Sequence, residues 1–143
     1  MEKIIGQEFI GERPLYCKHD LYLENVKIHR GESALKETSN ITAVNCVFEG
    51  KYPFWCCENF VVKNCLFTGG ARAALWYSRN LEMTDTYVDA PKMFREMDGM
   101  IAKVGATLLY INFFLEKLFL LFFLEGVINF TIPEKNVAGT TTM

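Results

Sequence analysis

Five residues able to hold a ring-shaped or charged ligand recur in this chain at nearly equal intervals. Tyr16, Lys36, Trp55, Trp76 and Arg95 are separated by 20, 19, 21 and 19 residues. The set mixes aromatic faces with cations. Exposed together, such residues form a platform for sugar rings, because the C–H face of a pyranose stacks on an indole. The same row is also a cation–π ladder, worth about 0.5–1 kcal/mol per exposed contact, that would stiffen its scaffold. A second set at the same intervals reads Glu12, Glu32, Lys51 and Arg72, ended by Pro91. Two stacked carboxylates can raise one pKa and supply an acid–base pair, so Glu12 and Glu32 are the candidate catalytic residues. The competing reading is two solvated carboxylates beside two solvated cations, with Glu32 and Lys51 neutralising each other.

Other chemistries find less material. The four aspartates, Asp20, Asp85, Asp89 and Asp98, do not form the clustered calcium ligands of a polysaccharide lyase. A glycosidase needs a carboxylate pair on one surface, for which only Glu12 with Glu32 stands out. His19 and His29 fall at unrelated places in the repeat, and Ser33 and Ser39 form no nucleophile motif. Gly69 and Gly70 lack the lysine of a phosphate loop, so no cofactor is expected. The five cysteines include no Cys-x-x-Cys pair with a histidine partner, so no metal is expected. An odd cysteine count and no secretory leader point to reduced thiols in the cytoplasm. The formal net charge is -2, with no basic tract, which argues against nucleic acid.

What must position these residues is a repeat. Asp20, Asn40, Asn59, Asn80 and Asp98 lie 20, 19, 21 and 18 residues apart. Asn25, Asn45, Asn64 and Asp85 follow the same rhythm, as do the apolar Leu15, Leu35, Phe54, Leu75 and Phe94. Between corners the chain alternates: Leu21, Leu23, Val26 and Ile28 to one side, Tyr22, Glu24 and Lys27 to the other. Copies of this length match one coil of a solenoid, stacked at roughly 4.8 Å with its strands paired in parallel. Asn tolerates the left-handed backbone of a sharp corner, and its amide can reach the Asn one coil away. Cys46 and Cys65 share a position with Val26 and Thr86 and read as small space-filling residues. The leucine-rich repeat has a similar period but a different order of leucines and Asn. The expectation is an all-β parallel β-helix of roughly five coils, about residues 4–98, within a domain spanning 1–98.

The segments GERPLY (11–16), GESALKETSN (31–40), KYPFW (51–55), ARAALWYS (71–78) and DAPKMFRE (89–96) closely resemble the domain-of-unknown-function 3737 family. The resemblance covers about residues 5 to 98 and implies a right-handed, pectin-lyase-like β-helix. It supplies no activity and no catalytic residues. Folds of this type often act on polysaccharides, which is a weak warrant for chemistry.

After Asp98 the Asn/Asp rhythm stops, and residues 99–143 read as a non-repeat tail. Its segment 107–130 is apolar on nearly every side when wound as a helix. The tail is expected to be helical and to cap the open end of the solenoid, or to be sequence read out of frame on a truncated protein. A membrane helix is the alternative, opposed by Glu116 and Lys117 near mid-span. The leading functional expectation is a carbohydrate-binding surface, or its remnant, formed by Tyr16, Lys36, Trp55, Trp76 and Arg95. Its rivals are a non-catalytic structural or protein-interaction solenoid, self-associating through an open end, and a membrane-associated protein anchored by 107–130. The residue inventory leans against an enzyme; if one, it is of the polysaccharide lyase or glycosidase type.

Overall fold

A computed structural model describes residues 1–90, 92–106, 120–124 and 127–132. The chain winds as a parallel β-solenoid of about five coils. One wall is built from β1 (Glu2–Ile5), β3 (His19–Glu24), β5 (Ser39–Val44), β7 (Glu58–Lys63), β9 (Arg79–Val88) and β10 (Asp98–Ala106). A second wall contains β2 (Glu8–Glu12), β4 (Lys27–Glu32), β6 (Val47–Phe48), β8 (Leu66–Phe67) and the end of β9. A third wall consists of turns without a regular strand. Its coils are nonetheless joined by backbone bonds such as Leu35 N to Pro53 O at 2.8 Å and Phe54 N to Ala74 O at 2.8 Å.

Register follows from the alternation in the sequence. Leu21, Ile41, Phe60, Leu81 and Met100 face one another across successive coils, and all are buried. Leu15, Leu35, Phe54, Leu75 and Phe94 form the matching interior column beneath the turn wall. At the centre Phe48 stacks on Phe67 with centroids 4.8 Å apart, and Phe54 on Phe60 at 5.2 Å. Each phenylalanine buries on the order of 150–250 Å², so these rings supply much of the apolar burial. Small residues fill the column Val26, Cys46, Cys65 and Thr86, where the Cys46 amide donates to Cys65 Sγ at 3.3 Å.

Corners are left-handed. The column Asp20, Asn40, Asn59 and Asn80 has φ between 54° and 59°, and Asn25, Asn45, Asn64 and Asp85 between 50° and 56°. Their amides do bond one coil away: Asn80 Nδ2 donates to Asn59 Oδ1 at 2.8 Å and Asn64 Nδ2 to Asn45 Oδ1 at 2.6 Å. The final corner is a correction. Asp98 pairs with Arg79, and the residue continuing the Asn column is Gly99, with φ 71°. Glycine takes the left-handed conformation without the Cβ clash, which removes the need for an Asn.

The ladder accordingly runs on through β10 to Ala106, past the end of the Asn/Asp rhythm. The tail departs from the helical expectation wherever it is described. Residues Leu120–Leu124 (β11) and Val127–Ile132 (β12) are antiparallel strands, and β12 pairs with the outer edge of β10. An open parallel edge offers a row of unpaired N–H and C=O groups, and a Phe-, Val- and Ile-rich segment satisfies them better as a strand. No helix among the described residues is long and apolar enough to cross a membrane. Residues 107–119, which carry the mid-span charges, lie outside the described ones.

Candidate functional site

The turn wall carries the aromatic row. In each coil two left-handed residues bracket the wall: Tyr52 and Cys56 in the third coil, Ala73 and Tyr77 in the fourth, Lys92 and Glu96 in the fifth. Between them one side chain enters the core and the next points outward. Phe54 is buried while Trp55 is half-buried; Leu75 is buried while Trp76 is half-buried. Backbone bonds place Tyr16, Lys36, Trp55, Trp76 and Arg95 in one row, as Cys17 N meets Lys36 O, Glu37 N meets Trp55 O, Cys56 N meets Trp76 O and Tyr77 N meets Arg95 O.

The row divides in two. Over coils three and four it becomes a cluster of four rings. Tyr52 meets Trp55 edge-on at 4.7 Å, Trp55 lies 5.5 Å from Trp76, and Tyr77 sits 5.9 Å from Trp55 and 6.2 Å from Trp76. The Arg95 guanidinium lies 5.0 Å over the Trp76 ring, and Trp76 Nε1 donates to the Lys92 carbonyl at 2.6 Å. One face and one edge of Trp76 are thus engaged. Tyr77, 44% exposed, is the ring most open to solvent. Over the first two coils the row is polar. Tyr16 Oη donates to Glu37 Oε2 at 2.9 Å, and that carboxylate raises the phenol pKa above its ordinary value. The cation on Tyr16 is Arg13, 5.5 Å away, whereas Lys36, the cation of the row itself, places Nζ 4.0 Å from Glu37. A residue of its own coil reaches Tyr16 with less chain extension than one from the next.

Glu12, Glu32, Lys51 and Arg72 also stack. Glu12 pairs with Glu32 and Glu32 with Lys51 in parallel register, and Tyr52 N donates to Arg72 O. All four are exposed, so the carboxylate pair stands in water and not in a closed, desolvated cleft. The expected neutralisation of Lys51 by Glu32 is not made: neither Lys51 nor Arg72 takes part in an ion pair among the described residues. Solvated surface charges at coil spacing gain too little to fix two long side chains. Pro91 lies outside the described residues.

Two polar constellations escaped the reading of the sequence. His19 Nδ1 and Ser39 Oγ are hydrogen-bonded at 2.7 Å, in an outward row continuing through Glu58, Arg79 and Asp98. His29 Nε2 lies 2.6 Å from Glu8 and its Nδ1 lies 3.6 Å from Glu49, linking three successive coils. The signal was present: His19 to Ser39 and His29 to Glu49 are each one period of 20 residues. Among the cysteines, burial pushes the Cys57 thiol up to about 11, and the hydrogen bond with Cys46 raises that of Cys65. Both side chains are buried. No group of three or more His, Cys, Asp or Glu among the described residues could hold a metal ion.

Compared with known proteins, residues 2–107 match the model of a family described as "Protein of unknown function (DUF3737)". No curated protein and no solved structure gives a match.

Proposed function

The chain belongs to the DUF3737 family, whose description assigns no activity, and we propose from its surface chemistry that the turn wall is a carbohydrate-binding platform. One observation carries this reading: Tyr52, Trp55, Trp76 and Tyr77 gather on the outside of the solenoid, in ring contact across two coils. The core is already closed by Phe54 and Leu75, both fully buried, so the two tryptophans are not needed to fill it. A tilted cluster presents an apolar ledge against which the C–H face of a sugar packs, leaving the hydroxyls in water. The platform binds; the exposed Glu12 and Glu32 give it no acid–base pair.

A second reading is favoured by the Arg95 and Lys92 contacts to Trp76. Under it the rings brace neighbouring coils of a structural or protein-interaction solenoid, and nothing is stacked on them. The two readings separate on a glycan array probed with the intact chain and with Tyr77→Ala. Tyr77 is exposed and lies at the rim of the cluster. Saturable binding to at least one glycan, reduced at least tenfold in the variant with its thermal midpoint unchanged, supports the platform. If no glycan binds a chain shown to be folded, the bracing role alone remains.

A further inference from the structure

Resting on the platform reading, we infer that its ligand is an anionic sugar, bearing a carboxylate or sulfate beside the ring that stacks. The turn wall is polarised along the solenoid axis. In coils one and two Glu12, Glu32 and Glu37 are balanced by Arg13, Lys18 and Lys36, while coils three to five present Lys51, Arg72, Lys92 and Arg95 against Glu96 alone. All the rings of the cluster lie at the cationic end. Lys51 immediately precedes Tyr52, whose ring touches Trp55, and the Tyr52 amide donates to the Arg72 carbonyl at 3.1 Å. The two cations therefore sit one above the other on the margin of the cluster. Both are exposed, and neither is held in an ion pair among the described residues.

Arg95 adds a third charge. Its guanidinium lies 5.0 Å over the Trp76 ring, and a guanidinium fork can hold a carboxylate or sulfate through two parallel N–H bonds. A ring lying over Tyr52 and Trp55 brings its charged substituent to Lys51 and Arg72. A neutral sugar leaves those cations unanswered. Single-stranded nucleic acid also combines rings and negative charge, but its bases need open faces on which to stack in series. Here Trp55 and Trp76 are inclined to each other by 52°, and Tyr52 meets Trp55 at 82°.

The test is calorimetric titration of the full chain with a cello-oligosaccharide, with the same oligomer whose C6 hydroxymethyls are oxidised to carboxylates, and with oligo-dT. The oxidised oligomer should bind roughly tenfold more tightly than the neutral one, the gain expected of two or three exposed charge contacts. That advantage should shrink toward unity in about 1 M salt. It should vanish in the double variant Lys51→Gln with Arg72→Gln and persist in Lys63→Gln, whose charge lies on another wall. Equal affinity for the two sugars overturns the charge inference and leaves the platform standing. Failure of both to bind overturns the platform as well. Tighter binding of oligo-dT than of either sugar replaces an acidic glycan with nucleic acid. The salt dependence decides the matter even if the double variant does not fold.

Discussion

Single side chains on this surface do unlike jobs at equivalent positions. Trp76 is braced by Arg95 and Lys92, whereas the Trp55 ring meets other rings, those of Tyr52, Trp76 and Tyr77. Trp76→Ala should therefore lower stability by about 1–3 kcal/mol, the loss of aromatic contacts, one cation–π contact and one hydrogen bond. Urea unfolding checks this. Trp76→Phe, keeping a ring without the N–H, should recover about half. Glu8 offers a pH signature. Its carboxyl is held below the ordinary 4.5, first by the hydrogen bond with His29 and then by the imidazolium charge. A depressed folded-state pKa contributes stability above the unfolded value and loses it as pH falls through the folded one. The urea midpoints of the native chain and Glu8→Gln should thus differ above pH 4.5 and converge as pH falls well below it. An unchanged gap at about pH 2 would contradict the Glu8–His29 bond.

At the scale of the coil, corners and close approaches set the tolerance to change. Asn64 combines a φ of 51° with an amide bond to Asn45. Asn64→Ala should cost about 1–2 kcal/mol and Asn64→Gly less, since glycine keeps the conformation and forfeits only the bond. Gly31 is more demanding, because an added Cβ would fall on the Gly11 carbonyl oxygen of the neighbouring coil. Gly31→Ala should destabilise by roughly 1–3 kcal/mol or displace the first coil, visible as faster hydrogen exchange in β2. The Asn and Asp corners and the inward columns were legible in the sequence, because both recur at the coil length and Asn marks a left-handed backbone. The two corners bracketing the turn wall were not. Arg13, Ser33, Tyr52, Ala73 and Lys92 share a left-handed φ without any common chemistry, and so do Cys17, Glu37, Cys56, Tyr77 and Glu96. For that reason Trp55 and Trp76 could be found by period, while Tyr52 and Tyr77, brought to them by those corners, could not.

The whole molecule is a one-dimensional stack, so each coil depends on its neighbours and the ends are weakest. At the far end β10 gives its outer edge to β12, which is paired in turn with β11. The sequence leads to the expectation of a helix for this segment, because an apolar run carries no periodicity to separate helix from strand. Backbone groups awaiting partners on β10 decide between them. If β12 closes that edge, Phe130→Pro, which removes a ladder N–H, should expose β10 and promote self-association. Light scattering should show larger species for that variant. Particles of unchanged mass would mean that the edge needs no cover.

Trp55 and Trp76 are the only tryptophans in the chain, so its indole fluorescence reports on the proposed platform alone. Titrating the intact protein with the oxidised cello-oligosaccharide should change that emission saturably and shift it to shorter wavelength, as a sugar ring displaces water from the indoles. Emission that stays constant to millimolar ligand, from a chain whose circular dichroism is that of a folded β-protein, would contradict a glycan-binding role for this surface.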